Sequence, residues 1–171
     1  MGDVSIRVAD MGDRDRIFEL LRGAAVWLRD RDIDYWQNWH TPPPHHVTWV
    51  EDGIAVGQFR MVEHDGRSIA CFRLQDSDEL FWGTRDEPAV YVHSLTVDRA
   101  LAGRGIGSQV LARIGEQAVA GGTRFMRLDC GVSADGLRRY YESQGFSLVG
   151  ETVVDGESLA LYEKPLACPD R

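Results

Sequence analysis

The sequence predicts a mixed α/β fold in which a central, partly antiparallel sheet of about seven strands is flanked by about four helices. Three observations predict it. Residues 89–119 form a buried strand pattern, a glycine-rich turn and a long helical pattern. Two β-rich runs, 54–63 and 67–74, are joined by Asp65-Gly66, which is a strong hairpin signal. A second series of strand and helix patterns follows from residue 124 to residue 164.

The N-terminal part of the chain is predicted to hold one strand and two helices. Residues 4–9 alternate as in a strand, and residues 10–13 supply capping groups for a helix that follows. The apolar face of that helix consists of Ile17, Leu20, Leu21, Ala24, Ala25 and Leu28. After the stiff proline run 42–44, Val47 and Val50 predict a short helix over 45–52 that Gly53 ends.

The C-terminal part continues with alternating elements. Residues 75–88 read as an acidic loop whose apolar trio, Leu80-Phe81-Trp82, packs against the protein. A strand over 124–130 precedes a helix over 134–144 that Ser133 caps, and further strands begin at residue 146 and span 158–164. We expect a single domain over residues 1–165, followed by a flexible tail over 166–171.

Composition limits the classes of protein that fit. The chain has 171 residues, 43% of them apolar and 27% charged, as in an ordinary soluble globular protein. Its net charge of −8 argues against nucleic acid or an anionic membrane as the main partner. Three cysteines without metal or redox spacing, together with the lack of a signal peptide or membrane-spanning run, predict a cytoplasmic protein.

The turn within residues 89–119 is typical of an anion site. Gly103, Gly105 and Gly107 stand at the start of a helix, where unpaired backbone N–H groups and the helix dipole favour a phosphate. A dinucleotide fingerprint would need a further glycine at Ser108 or Val110, and no Gly-Lys-Ser/Thr of a P-loop follows. The phosphate ligand therefore belongs to another class.

Residues 102–107, AGRGIG, resemble the acyl-CoA pyrophosphate loop of the GNAT N-acetyltransferase superfamily, written Arg/Gln-x-x-Gly-x-Gly/Ala. Ala102 stands where that family usually has Arg or Gln. The later stretch ADGLRRYYESQGF is similar to the family helix that ends in Tyr-Glu-x-x-Gly-Phe, here residues 141–146. Ala134 stands at, or one position from, the usual Asn of that helix. With the order of elements, the resemblance covers roughly residues 4–164.

The resemblance implies a function and a cofactor. Acetyl-CoA is the expected co-substrate, and the expected reaction transfers its acetyl group to a primary amine of a small molecule or a protein N-terminus. The amine attacks directly in a ternary complex. The residues that match the family's cofactor-binding positions are Leu95, Thr96, Val97, Ala102, Gly103, Arg104, Gly105, Ile106, Gly107, Ser108, Ala134 and Tyr141.

Three residues are candidates for catalysis. By the resemblance, Tyr141 is the general acid that protonates the departing thiolate; Tyr140 projects about 100° away on the same helix, so only one of them can face the thioester. His93, in the central strand, is either the proton acceptor or a hydrogen-bonded core residue. Ser94 is the alternative orienting group. The amide of Val97 is the expected donor to the thioester oxygen.

Other residues leave alternatives open. His40, His45 and His46 match no zinc pattern, and we predict no metal site. An aromatic set either walls the acceptor pocket or belongs to the core or a dimer contact: Trp27, Tyr35, Trp36, Trp39, Trp49, Phe81 and Trp82. Cys130 gives slight support to a thiol intermediate.

Two other classes of function fit the sequence. One is a non-catalytic acyl-CoA-binding or sensing module, which the alanines at 102 and 134 favour. The other is a partner-binding protein on the same fold, with the aromatic N-terminal region as its interface. A homodimer is compatible with each class, and the identity of the acceptor amine stays open.

Overall fold

The structure, a computed structural model, describes residues 4–166. Its strands are β1 (Ser5–Val8), β2 (Phe59–His64), β3 (Arg67–Gln75), β4 (Ala89–Val97), β5 (Phe125–Gly131), β6 (Ser147–Val154) and β7 (Glu157–Pro165). Its helices are α1 (Arg14–Arg29), α2 (Pro44–Ala55), α3 (Glu79–Trp82), α4 (Ile106–Ala120) and α5 (Asp135–Ser143). The predicted α/β class is confirmed, and the additional helix is the single turn of α3.

The seven strands form one mixed sheet in the order β1-β2-β3-β4-β5-β7-β6. The β1–β2, β2–β3, β5–β7 and β6–β7 pairs are antiparallel. The β4–β5 pair is parallel, with Ala89 opposite Phe125 and Tyr91 opposite Arg127. The partly antiparallel sheet that the sequence predicts is therefore the observed one.

The chain forms two compact units, and both β4 and α4 contribute residues to each of them. The first comprises Met1–Leu74 and Ser94–Val110, and the second comprises Gln75–His93 and Leu111–Arg171. The core of the first unit packs helix α1 against β2 and β3 through residues such as Ile17, Leu21 and Met61, each fully buried. Trp39 and Val50 complete that core.

The core of the second unit joins apolar packing to a buried cation. Trp82, Ala89, Tyr91 and Leu161 form an apolar cluster. The side chain of Arg127 is only 2% exposed, and its guanidinium contacts Glu163 at 2.7 Å and the Tyr91 hydroxyl at 2.8 Å. A buried cation held by partners on several strands fixes their relative positions, because each partner is needed to offset its desolvation.

Several element ends confirm the local signals of the sequence. Asp10 caps a 3-10 turn over Met11–Asp13 that leads into α1, with a reciprocal bond from the Asp10 amide to Asp13. Asp65 and Gly66 both adopt left-handed backbone, with φ of 49° and 72°, as a tight hairpin between β2 and β3 requires. Asp155 and Gly156 do the same between β6 and β7.

Three of the predicted element ends are wrong. Strand β2 begins at Phe59 and not at residue 54, because residues 54 and 55 still belong to helix α2. Helix α2 continues through Gly53 to Ala55, because Gly53 serves close packing: a Cβ there would lie 2.9 Å from Phe59 and from the Arg73 guanidinium. Helix α5 begins at Asp135 with Ala134 as its N-cap residue, so Ser133 does not cap it.

The C-terminal end of the chain is described only in part. Pro165 belongs to β7, and the amide of Leu166 donates to the carbonyl of Arg124 at 2.8 Å. The predicted tail beyond Leu166 lies outside the described residues. Among residues 4–166, the helices are too short or too polar to cross a membrane.

Candidate functional site

The entry to the glycine-rich turn, in the first unit, is held by Asp98. Its Oδ1 accepts a hydrogen bond from the Ala100 amide at 3.1 Å, and its backbone amide donates to Ile69 at 2.7 Å. Its Oδ2 lies 2.6 Å from Nη2 of Arg16 on helix α1. The hydrogen bond from Arg16 holds the pKa of Asp98 below its usual value, so the carboxylate stays charged at neutral pH.

The turn itself has the backbone that its sequence predicts. Gly103 and Gly105 adopt φ of 76° and 75°, in the left-handed region that favours glycine, and a Cβ at either would meet nothing within 4 Å. Residues 102–105 are exposed. Helix α4 begins at Ile106, whose side chain is buried and anchors the helix start. Small, exposed backbone before a helix start can bring amide groups close to an anion.

The C-terminal end of β4 contains a backbone irregularity that the sequence analysis did not predict. Ser94 has φ of 54°, in the left-handed region that is uncommon for a residue other than glycine. The Thr96 hydroxyl donates to the Ser94 carbonyl at 3.0 Å, and Thr96 is buried. Leu95 and Val97 are half-buried. The left-handed residue therefore directly precedes the residues predicted to contact the pantetheine arm.

Trp27 of helix α1 lies between two arginines of the first unit. The guanidinium carbons of Arg31 and Arg99 each lie 4.0 Å from the centroid of its ring. Two planar cations at that distance cannot share one face, so they stack on opposite faces of the indole. Burial and the charge of Arg31 lower the pKa of Arg99. This contact fixes the segment before the glycine-rich turn to helix α1.

In the second unit, His93 lies between two carboxylates. Its Nε2 is 2.9 Å from Oδ2 of Asp78, and its Nδ1 is 3.6 Å from Oδ1 of Asp129. We call these residues the Asp78–His93–Asp129 cluster. All three side chains are at most 10% exposed. The ring of Phe81 lies 5.3 Å from that of His93 and shields it from one side.

The electrostatics of the cluster centre on Asp129. Its Oδ1 is buried and makes no hydrogen bond to any described residue. Burial, opposed by the charge of His93 and assisted by that of Asp78, raises the pKa of Asp129 to about 6. Two carboxylates and one imidazole give the cluster a net charge of −1 when it holds one proton and −2 when it holds none.

The cluster is also the group within residues 4–166 that could hold a metal ion. One atom of each side chain lies within 4.8 Å of the others. The two ring nitrogens of His93 face different carboxylates, so at most one of them could bind an ion at this position. That the protein holds no metal stays a prediction.

The predicted acid, Tyr141, lies on helix α5 in the second unit. It is buried, and its ring lies 5.9 Å from Phe146 and 6.2 Å from Tyr162. Tyr140 is half-buried. Tyr162 in turn donates to Glu142 at 3.0 Å. The helix therefore presents Tyr141, rather than Tyr140, to the interior of the unit.

The remaining sequence candidates are buried or pack against a core, and the roles predicted for them at the cofactor or acceptor site stay predictions. Ala134, the N-cap residue of α5, is buried. Cys130 is fully buried, and burial with the charge of Asp129 raises its pKa to about 12. Trp39 and Trp82 are core residues of their units, and Trp36 and Trp49 pack on the core of the first. His46 stacks on Trp39 with ring centroids 4.9 Å apart.

The sequence points to His93 but not to its two carboxylate partners. Asp78 was visible only as one of several acids in the loop before β4. Asp129 carried a stronger signal, because it lies between Leu128 and Cys130 in a predicted strand. The residue that contacts Nε2 of His93 is Asp78, and the role of Ser94 as an orienting group stays a prediction.

Comparison with known proteins finds relatives along nearly the whole chain. The profile of the Acetyltransferase (GNAT) family matches residues 14–146. The uncharacterized N-acetyltransferase YesJ of Bacillus subtilis is 29% identical over 164 residues, which are 90% of this chain and 86% of YesJ.

Solved structures share the fold. A GNAT-family acetyltransferase from Listeria monocytogenes superposes with a TM-score of 0.75 at 25% identity, over 95% of each chain. YncA from Salmonella typhimurium, solved with its cofactor acetyl-CoA, superposes with a TM-score of 0.66 at 23% identity, over 99% of each chain. Because the family profile covers most of the chain, including the glycine-rich turn and Tyr141, the protein belongs to the GNAT family of acetyltransferases.

Proposed function

We propose that the protein transfers an acetyl group from acetyl-CoA to a primary amine, by direct attack of the amine in a ternary complex. The observation that carries this proposal is the exposed turn over 102–105, in which Gly103 and Gly105 have left-handed backbone directly before α4. Such a turn can bind the pyrophosphate of CoA through backbone amides. The acetyl-CoA bound to YncA supports the same ligand.

Direct attack is favoured over a covalent intermediate by the state of the thiols. Cys71 and Cys130 are both buried, and burial raises the pKa of each to about 12. A protonated, buried thiol is a poor nucleophile, because the thiolate is the reactive form. Neither cysteine therefore suits an acetyl-cysteine intermediate.

Tyr141 is the proposed general acid. Attack of an amine on a thioester expels a thiolate, which a nearby phenol can protonate. Tyr141 is buried on α5 at the position that the family motif gives to this role. We expect Tyr141→Phe to lower kcat by a factor of about 10 to 100 and leave the Kd for acetyl-CoA within threefold. An unchanged kcat would remove Tyr141 from this role.

The proton that leaves the amine also needs an acceptor. The titratable side chains available for it in the second unit include His93 and its carboxylate partners. At the end of β4, the backbone of Leu95, Thr96 and Val97 is the proposed contact for the pantetheine arm, with the Val97 amide as donor to the thioester oxygen. Arg104, Ile106, Gly107 and Ser108 complete the proposed pyrophosphate site. One acetyltransferase domain over residues 1–165 is the proposed organisation.

The first experiment measures thermal unfolding with and without 1 mM acetyl-CoA, a concentration in roughly the range at which linkage gives a clear shift. NADH and ATP are the controls. We expect a rise in Tm with acetyl-CoA alone. Gly105→Val should abolish the rise, because the turn needs φ of 75° and exposed amides. The matched control is Gly66→Val in the β2–β3 hairpin, where φ is 72° and the added side chain is equally unobstructed.

Two outcomes would contradict the proposal. If acetyl-CoA does not raise the Tm of the wild type, the turn is not a CoA site. If Gly105→Val keeps the full rise, another part of the chain binds the ligand. If acetyl-CoA raises the Tm, a panel of primary amines is then tested as acceptors, and the release of the CoA thiol is measured for each amine.

A second candidate is a non-catalytic acyl-CoA-binding module. It is favoured by Ala102, which is exposed in the turn and lacks the cationic or amide side chain usual in the family, and by the buried Ala134. Selective stabilisation by acetyl-CoA with no thiol release on any amine of the panel would select this function.

A further inference from the structure

The Asp78–His93–Asp129 cluster does not suit the use of His93 as a simple base. Nε2 of His93 faces Asp78 at 2.9 Å, and Nδ1 faces Asp129 at 3.6 Å. Nε2 pairs with Asp78, whereas the distance from Nδ1 to Asp129 is too long for a hydrogen bond. A proton that enters the cluster is therefore distributed over three neighbouring groups, and the imidazole is not an isolated acceptor.

The carboxylate of Asp129 has an oxygen that could still accept a hydrogen bond or a proton. Its Oδ1 is buried without a hydrogen-bond donor among the described residues, and its side chain is 10% exposed. A buried carboxylate oxygen without a donor favours acquiring a proton. In contrast, both oxygens of Asp78 have partners: Oδ2 contacts His93 at 2.9 Å, and Oδ1 accepts from the Phe81 amide at 3.3 Å.

We propose that Asp129 is the catalytic base that accepts the proton of the acceptor amine, and that His93 and Asp78 are positioning residues that set its protonation. This inference rests on the proposed acetyl transfer. The base is then Asp129 on strand β5 and not His93 on strand β4.

The proton balance of the reaction is complete with these groups. The acceptor arrives as an ammonium ion and gives one proton to Asp129, which becomes a neutral carboxyl group. The amine lone pair forms the N–C bond to the thioester carbonyl, and collapse of the tetrahedral intermediate breaks the C–S bond. Tyr141 protonates the thiolate and regains a proton, through water, from the nitrogen. Asp129 then releases its proton to solvent, so the turnover yields amide, CoA thiol and one proton.

The charged groups around Asp129 affect its pKa in opposite directions. His93 of β4 and Asp78 at the start of α3 face it. Cys130 follows it on β5, with Arg138 and Glu142 of α5 near that thiol, and the apolar Leu161 is its pair on β7. A positive charge on His93 lowers the pKa of Asp129, and the negative charge of Asp78 raises it. Removing His93 should therefore raise the pKa of Asp129, and removing Asp78 should lower it.

The experiment measures the pH dependence of kcat/KM, with release of the CoA thiol from acetyl-CoA as the readout. The acceptor is the fastest amine of a panel that comprises 2-phenylethylamine, spermidine and a peptide with a free N-terminus. The wild type should lose activity as Asp129 becomes protonated, on an acidic limb near pH 6. Asp129→Asn should lower kcat by a factor of about 100 or more and remove this limb, while acetyl-CoA still raises the Tm. His93→Gln should move the limb to higher pH, and Asp78→Asn should move it to lower pH.

The controls separate this inference from the proposed function. Asp76→Asn, an exposed acid two positions before Asp78, should leave the limb unchanged. If the wild type acetylates no amine of the panel, the proposed acetyl transfer fails and the inference fails with it. If the wild type is active and Asp129→Asn keeps its rate and limb, only the inference is overturned.

Two further outcomes decide against Asp129 as base. If His93→Gln abolishes the limb and Asp129→Asn only shifts it, His93 is the base. If EDTA abolishes the activity of the wild type and Zn²⁺ restores it, the cluster holds a metal ion. Should Asp129→Asn fail to fold, the opposite shifts expected in His93→Gln and Asp78→Asn carry the test, and shifts in the same direction overturn the inference.

Discussion

Asp78 uses one carboxylate for two structural purposes, one of which is to hold His93. Its Oδ2 lies 2.9 Å from Nε2 of His93, while its Oδ1 accepts from the Phe81 amide at 3.3 Å and so caps helix α3. Because α3 also carries Phe81, whose ring lies 5.3 Å from the His93 ring, the cap and the cover of the imidazole depend on the same side chain. A loop that looks irregular in sequence is thereby fixed to the central strand.

The two purposes of Asp78 can be separated by substitution. Asp78→Asn keeps an oxygen that can cap α3, because Asn and Asp are both good N-cap residues, whereas Asp78→Ala loses the cap and leaves His93 without this partner. We expect Asp78→Ala to be less stable than Asp78→Asn by about 1–3 kcal/mol in urea unfolding. Equal stabilities of the two variants would show that the cap contributes nothing.

A second prediction concerns two glycines inside helices of the first unit. Gly53 in α2 has Phe59 and the Arg73 guanidinium 2.9 Å from the place that a Cβ would occupy, whereas Gly23 in α1 has nothing within 4 Å. Alanine is favoured over glycine in a helix interior by about 0.5–1 kcal/mol. We expect Gly23→Ala to gain about that amount of stability and Gly53→Ala to lose more than about 1 kcal/mol through overpacking.

Chemical denaturation of the two alanine variants tests this directly, since each serves as the control of the other. Arg73 cannot easily move aside, because it is buried and donates to Gln58 at 2.8 Å and to the Trp49 carbonyl at 2.8 Å. If Gly53→Ala increased the free energy of unfolding, the Arg73 guanidinium would have to move away from the new methyl group without a loss of stability.

These glycines also show which parts of the fold the sequence can predict. Signals within a few residues, such as Asp65-Gly66 or the glycine-rich turn before α4, act through local backbone geometry and were predicted correctly. Gly53 was read as a helix end, yet contacts from β2 and β3 decide its role. Tertiary packing overrides a local propensity of about 1 kcal/mol, and sequence spacing does not reveal it.

The candidate site follows the same division. The turn over 102–107 and Tyr141 are local motifs, and a single sequence is sufficient to find them. The cluster around His93 joins residues from the loop before β4, from β4 and from β5, which no short pattern connects. The left-handed backbone of Ser94 is equally hard to predict, because serine carries no sequence signal for φ of 54°.

A third prediction follows from the pKa of Asp129. Burial raises it to about 6 in the folded protein, from 3.8 for the ordinary side chain. The folded state therefore binds more protons than the unfolded state between these values, and this group makes stability fall as the pH rises from about 4 to 6. Above pH 6 the ionised, buried carboxylate costs up to about 3 kcal/mol of folding free energy.

Asp129→Asn removes this titration. We expect the stability of the variant relative to the wild type to increase between pH 4 and pH 7 by about 1–3 kcal/mol, as measured by urea unfolding at each pH. Asp76→Asn, at an exposed position, is the control and should show a flat difference. A difference for Asp129→Asn that is equally flat would mean that Asp129 is not desolvated in the folded protein.

The last prediction concerns the charge of the acceptor, and it rests on Asp129 as the base. The Asp78–His93–Asp129 cluster carries a net charge of −1 with one shared proton and −2 without it. A carboxylate on the carbon that bears the reacting nitrogen would lie within roughly 6 Å of this charge, and at an effective dielectric constant of about 20 the repulsion is about 3 kcal/mol. Acceptors without that carboxylate should therefore be preferred.

Phenylalanine and phenylalanine amide test the preference, because they differ by a carboxylate and a neutral amide of nearly the same size. At equal concentrations of the ammonium form, we expect the amide to have a kcat/KM at least tenfold higher, a conservative fraction of the roughly 100-fold that 3 kcal/mol allows. Asp78→Asn, which removes one negative charge from the cluster, should reduce the ratio. A preference for phenylalanine itself would require a cation near the amine that outweighs the two carboxylates, and it would contradict an anionic cluster as the site of proton transfer.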